Sequence, residues 1–170
     1  MVLKLVELTE SLQPSFIKMM DAWTTQEDEI IPNAINEWNY LDFKNYVEYL
    51  KARNDLPDMV PSTTLFCIDQ KSNEMIGACN IRHFLNENFM TIGGHIGLGI
   101  CPEYRGKGHG TTLLALALEE CKHIGLSEIL ITCSSDNISS AKIIMKNGGI
   151  LEKEITFNGI KKQRYWINLY

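Results

Sequence analysis

The chain has 170 residues, 45% of them apolar and 22% charged, with a formal net charge of −5. That length suits one domain, residues 1–170, with enough chain for a full core. The acidic balance argues against a nucleic-acid surface, which selects a basic patch, and the densest basic cluster, Lys161-Lys162 with Arg164, is too short to be one.

Met1 to Glu10 carries no secretory pattern, because Lys4 and Glu7 interrupt the apolar residues, and no run approaches the roughly 20 apolar residues that cross a bilayer. Cys67, Cys79, Cys101, Cys121 and Cys133 form an odd set without a C-x-x-C spacing, and they pair with none of the histidines in a ligand-like way. Most lie in strand-like apolar runs, where a thiol behaves as a small hydrophobe. A reducing cytoplasm is the expected location, with no metal and no membrane partner.

In chain order, Leu3 to Leu8 reads as a first strand, and Thr9-Glu10-Ser11 before Pro14 reads as a helix start. Phe16, Ile17, Met19, Met20 and Trp23 give that helix an apolar face, followed by the acidic patch Glu27-Asp28-Glu29. The irregular stretch Glu29 to Tyr40 holds Trp38 and Tyr40, which either border a binding site or pack under a helix. Leu41 to Ala52 is a second helix, with Phe43, Val47 and Leu50 at helical spacing.

From Leu65 to Ile100 the pattern is all strand: Leu65 to Asp69, Met75 to Phe84 and Gly94 to Ile100, an antiparallel meander turning at residues 70–73 and 86–88. Thr111 to Ile124 is a buried helix ended by Gly125, and Glu128 to Cys133 is a short apolar strand. Asp136-Asn137 caps a last helix that stops at Gly148-Gly149. The tail is a hairpin, Leu151 to Phe157 and Gln163 to Leu169, turning at Asn158-Gly159.

The segment 101–111, Cys-Pro-Glu-Tyr-Arg-Gly-Lys-Gly-His-Gly-Thr, joins a strand to a helix start. Glycines at alternate positions let backbone approach a ligand, and the first N–H groups of the helix lack intrahelical partners, so phosphate oxygens suit the turn. A dinucleotide fingerprint fails because Thr111 stands where a third glycine is needed, and a phosphate-binding nucleotide loop fails because Gly108 follows Lys107. The spacing that fits is Arg105-x-x-Gly108-x-Gly110 after Pro102-x-Tyr104.

That motif resembles the acetyl-CoA signature of the GNAT N-acetyltransferases. The order of elements is similar to that family over almost the whole chain, and Asn137-Ile138-Ser139-Ser140 looks like its Asn-x-x-Ser/Ala element. Arg82-His83, residues 93–97, residues 131–133, residues 147–149 and residues 164–167 together resemble a bacterial subgroup of predicted acetyltransferases. The resemblance implies an α+β fold: a mixed, largely antiparallel sheet of about seven strands flanked by about four helices, with a V-shaped splay between strands 4 and 5.

It also implies acetyl-CoA as cofactor, transfer to a primary amine of a small molecule or peptide in a ternary complex, and no metal. The amides of Gly106, Lys107, Gly108, His109, Gly110 and Thr111 would hold the pyrophosphate, with Arg105 at the start of the loop. The strand edge at Leu98, Gly99 and Ile100 would take the pantetheine, which Asn137 contacts and beside which Ser140 packs. The family's usual tyrosine, seven residues after the Asn, is Ile144 here, so Ser140, water or no acid at all protonates the leaving thiolate. His95 is the candidate base and His83 the second, each with a structural reading beside it. A homodimer is compatible with the family. The rival readings are a non-catalytic acyl-CoA-binding module of the same fold, and a nucleotide binder that shares only the glycine turn.

Overall fold

The computed structural model describes residues 1–27 and 29–170. Among them, seven strands form two antiparallel sheets, one in the order β1-β2-β3-β4 and one in the order β5-β7-β6. The first sheet comprises β1 (Leu3–Val6), β2 (Ser62–Asp69), β3 (Met75–Arg82) and β4 (Ile96–Ile100), and the second comprises β5 (Glu128–Ser134), β6 (Ile150–Phe157) and β7 (Ile160–Asn168). Four α-helices, α1 (Gln13–Thr25), α2 (Phe43–Ala52), α3 (His109–Ile124) and α4 (Ile138–Lys146), flank them.

Why β2 and β3 read as nearly unbroken apolar runs is clear from their setting: helices cover both faces. On one face Cys79 and Ile81 meet Leu113, Leu114, Ala117 and Cys121 of α3. On the other, Phe66 and Ala78 meet Phe16, Met19, Met20 and Trp23, the stripe of α1 at helical spacing. Phe16 centres that second core, its ring 4.9 Å from Tyr46 and 5.6 Å from both Phe43 and Phe66.

Several boundaries differ from the sequence reading, each for a local reason. β2 begins at Ser62 because Ser62 and Thr64 face the buried Asn80 amide and are held by it. β4 begins two residues late: Gly94 has φ +66°, and the residues before it, Phe89–Gly93, form a short π-helical turn. α3 begins two residues early, since Gly108 at φ +83° already turns the chain and lets His109 and Gly110 take helical geometry. Asn158 and Gly159 both have positive φ and close the terminal hairpin tightly enough for β7 to start at Ile160.

The two sheets meet at an isolated bridge between Gly94 and Ile131 and part beyond it. Around that junction the Thr132 hydroxyl donates to the Ile92 carbonyl (2.7 Å), and the buried Arg164 reaches from β7 to the Met90 and Thr91 carbonyls. Further along, the ladder leaves an edge uncovered. Bonds from Arg82 N–H to the His95 carbonyl and from Cys101 N–H to the Ile76 carbonyl fix the parity of β4, so odd-numbered residues face β3. The N–H and C=O of Leu98 and the N–H of Ile100 therefore point to the edge that faces away from β3. The expected splay between strands 4 and 5 is present.

Candidate functional site

The mouth of that splay is a cleft of about 650 Å³. One wall comes from the 105–111 loop and α4, including Arg105, Gly106, Gly108, His109, Gly110, Thr111, Asn137, Ser140 and Ile143. Its floor is Leu98, Gly99 and Ile100 of β4. The opposite wall, on the α1 face of the sheet, is Trp23, Glu29 and Ile31.

The loop wall is built for close backbone approach. Gly106 and Gly108 have φ of +72° and +83°, and nothing stands within 4 Å of where a Cβ would project, so the two turns present bare amides to the cleft. Thr111 N–H closes back on the Gly108 carbonyl at 3.1 Å, and the N–H groups of His109 and Gly110, the first donors of α3, have no partner among the described residues. Gly110 is needed for packing, because a Cβ there would lie 2.6 Å from the Ile143 side chain of α4. Arg105 donates from Nε to the Ile100 carbonyl (2.9 Å), pinning the loop to the end of β4. With Arg105, Lys142 and Lys146 lining it, this half of the cleft is electropositive at a helix N-terminus.

Asn137 caps α4, its Oδ1 accepting the Ser140 N–H at 3.0 Å, and this places both residues on the cleft wall. Lys107 faces away from the cleft: its Nζ returns to the Glu103 carbonyl (2.9 Å) beside the Tyr104 ring. His95 is also not on the lining. Its ring is buried, and Nδ1 accepts the Leu130 N–H at 2.9 Å. A neutral ring in that bond carries its proton on Nε2. Burial holds the His95 pKa below the ordinary 6.5. His83 bonds to the Thr63 hydroxyl at 2.8 Å, on the far side of β3 from the splay.

The sequence from residue 3 to residue 150 matches the model of the acetyltransferase (GNAT) domain. The chain belongs to the GNAT acetyltransferase family. It is therefore an acyltransferase by family, and GNAT acetyltransferases use acetyl-CoA.

Solved structures agree on the fold. A spermidine N-acetyltransferase from Vibrio cholerae, solved as a dodecamer, superposes with a TM-score of 0.64 at 18% identity, covering 98% of this chain and 94% of that one. An acetyl transferase from Salmonella typhimurium that modifies the N-terminal serine of a 50S ribosomal subunit protein gives 0.65 at 16% identity, with 98% and 94% covered. The Salmonella typhimurium protein yncA, solved with its cofactor acetyl-CoA, gives 0.62 at 12% identity, with 99% and 94% covered. No curated protein sequence matches the chain.

Within this GNAT domain Ile144, the residue expected at the family's usual tyrosine position, is a core side chain. That side chain is 3% exposed, in the core beneath α4, and Gly149 packs directly on it. Trp38 and Tyr40 do not line the cleft: Trp38 stacks on Tyr49 at 5.1 Å, and the Tyr40 hydroxyl donates to Asp21 at 2.7 Å. Of the acidic patch, Glu29 lines the cleft, Glu27 is exposed at φ +52°, and Asp28 lies outside the described residues. Trp23, Ile31, Lys142, Ile143 and Lys146 are lining residues that sequence reasoning missed. Trp23 sits in the apolar stripe of α1, where periodicity can only signal core. Among the described residues no cluster of three or more His, Cys, Asp or Glu is arranged to hold a metal ion, and no helix is long and apolar enough to cross a membrane.

Proposed function

We propose that the protein is an N-acetyltransferase that moves the acetyl group of acetyl-CoA to a primary amine by direct attack in a ternary complex. Acetyl-CoA supplies an acyl carbon joined to a thiolate leaving group, so a C–S bond is exchanged for an N–C bond, the amine loses one proton and the thiolate gains one. The observation that carries this reading is the bare glycine turn at 106–110 opening onto the unpaired edge of β4 within one cleft.

The residues fit the cofactor. The amides of Gly106 to Gly110 at the N-terminus of α3 bind the pyrophosphate, with the Thr111 N–H turned back to the Gly108 carbonyl, and Arg105 adds charge at the start of the loop. Leu98, with both backbone groups directed to the open edge, pairs with the pantetheine as a neighbouring strand would, and Asn137 meets the same arm from α4. The Ile100 N–H at that edge is a donor for the acyl oxygen as charge develops on it. Ser140, half-buried in the wall, is a hydroxyl within the cleft that can give a proton to the departing sulfur. His95 positions β4 against β5.

A second reading is favoured by Ile144 alone: without the tyrosine, the domain binds acyl-CoA and transfers nothing. Calorimetric titration with acetyl-CoA into wild type and Gly108→Asp, followed by CoA-thiol release with an amine panel, separates the two. Wild-type binding, loss of more than about tenfold in the variant, and amine-dependent thiol release support the enzyme. Binding without release to any amine supports the module, and failure to bind acetyl-CoA overturns both.

A further inference from the structure

Strand β1 stops short of the strand it pairs with. Val6, opposite Phe66, is its last residue, while β2 starts four residues earlier, at Ser62. Even-numbered residues of β2 turn their N–H and C=O toward β1, as the bond from the Gln70 N–H to the Val2 carbonyl shows. Past the end of β1, a side chain takes over for Ser62: the Asn54 carboxamide accepts its N–H at 2.9 Å and donates to its carbonyl at 2.8 Å. Thr64, between Ser62 and Phe66, has the same orientation, and its backbone N–H and C=O have no partner among the described residues. Thr64 lines a cavity of about 190 Å³ between this edge and α2, with Leu8, Val47 and Leu50 as its apolar surface. None of its lining residues belongs to the cleft between β4 and β5.

We propose that this cavity docks an extended polypeptide segment by strand addition, one residue of the partner pairing with Thr64 where β1 would have continued. A strand edge with a free N–H beside a free C=O is matched by a residue of extended chain, which offers an acceptor and a donor at the same spacing. The Asn54 carboxamide already meets Ser62 in that way at the adjacent position of the same edge. The pleat then fixes where the partner's side chain goes. A residue paired directly across from Thr64 carries its side chain on the same face as Thr64, which is also the face of Phe66. Phe66 packs in one core with Phe43 and Tyr46 of α2, so the partner's side chain enters under α2, against Val47 and Leu50. An aliphatic side chain suits that surface. The cavity is smaller than the roughly 300–1,000 Å³ of drug-sized ligand sites and holds about one residue. Glu7 and Lys51, both exposed, give its lining opposite charges that cancel, which favours an uncharged occupant.

The site is independent of the acetyltransferase reading. The test is titration of the 15N-labelled full chain with N-acetyl-leucine N-methylamide, followed by two-dimensional NMR. A saturable shift of the Thr64 amide is expected, with a dissociation constant of about 1 mM, since only one position of the edge is open. The Gly106 and Gly108 amides are expected not to move. N-acetyl-alanine N-methylamide is expected to bind about tenfold more weakly, for want of the buried methylenes. N-acetyl-N-methyl-leucine N-methylamide, which keeps the side chain but lacks the leucine N–H, is expected not to saturate in the same range. Leu50→Trp, at a half-buried position on α2, is expected to fill the cavity and abolish the shift, with the melting temperature measured alongside. If that variant does not fold, the N-methylated probe on wild type still decides. No saturable shift at Thr64 overturns the proposal. Equal binding of the N-methylated probe overturns it too, because the contact would then be apolar without strand pairing.

Discussion

His95 and Leu130 are joined by two hydrogen bonds of different kinds. The His95 backbone N–H donates to the Leu130 carbonyl at 2.7 Å, and the Leu130 N–H donates to the imidazole Nδ1 at 2.9 Å. A side chain thus supplies the bond that a second backbone acceptor would supply in an ordinary ladder. The pair sits where the two sheets separate, so it fixes the vertex from which β4 and β5 diverge.

Loss of stability on acidification follows from that pair. The folded pKa of His95 lies below the 6.5 of the unfolded chain, chiefly through burial. The unfolded state therefore binds the proton first, so the contribution of this group is complete above pH 6.5 and is lost as pH falls below it. Chemical denaturation from pH 8 to 5 is expected to show this slope, and His95→Gln to flatten it. The same variant is expected to leave the pH profile of kcat in place, whereas a base at His95 would lose it.

Arg164 is expected to be worth about 3 kcal/mol. Its Nε meets Glu152 at 2.7 Å, and the same guanidinium caps carbonyls of the 86–94 segment, which is tied in turn to β5 by Thr132. Arg164→Ala orphans a carboxylate and buried carbonyls together. Urea denaturation measures the cost, and acetyl-CoA affinity is expected to fall as well, because the vertex loses its brace.

Gly99→Ala is expected to destabilise by about 1–3 kcal/mol, the range for overpacking. A Cβ there would run into the Ile31 carbonyl, which is backbone and cannot rotate away. The outcome to look for is a lowered denaturation midpoint together with a raised KM for the acceptor, since Ile31 and Glu29 move with the segment.

All five thiols are expected to be silent to a thiol-reactive disulfide reagent in the native state. Each is buried, and burial pushes Cys67 and Cys121 up to about 12 and raises Cys79, Cys101 and Cys133 as well. Reaction should proceed at the rate of unfolding. A fast native phase of one equivalent would mean that a thiol is exposed.

How far the sequence alone carried the fold depends on whether the determinant is local. The order of strands and helices, the glycine turn and the Asn137 cap are set by residues near one another in the chain, and all three were legible. The start of β4 was not, because Gly94 looks like strand until the positive φ that docks it on Leu130 and Ile131 is known. The cleft lining divides the same way. Its loop wall is a contiguous motif, while Trp23, Glu29 and Ile31 reach it by packing across β4, which leaves no signature in spacing. His95 carried a reactive residue type in a promising strand, and only its bond to Leu130 shows where its lone pair goes.

Where Ile31 and Pro32 cross β4, the strand shows them Gly97 and Gly99, and so offers backbone in place of side chains. The two halves of the site consequently share a seam that is blind to residue identity. The segment bearing Glu29 can exchange its side chains from one descendant to another without any matching change in β4, provided its path is kept. On the proposed function, a swap of residues 29–32 is expected to alter acceptor choice while β4 and the glycine turn stay unchanged.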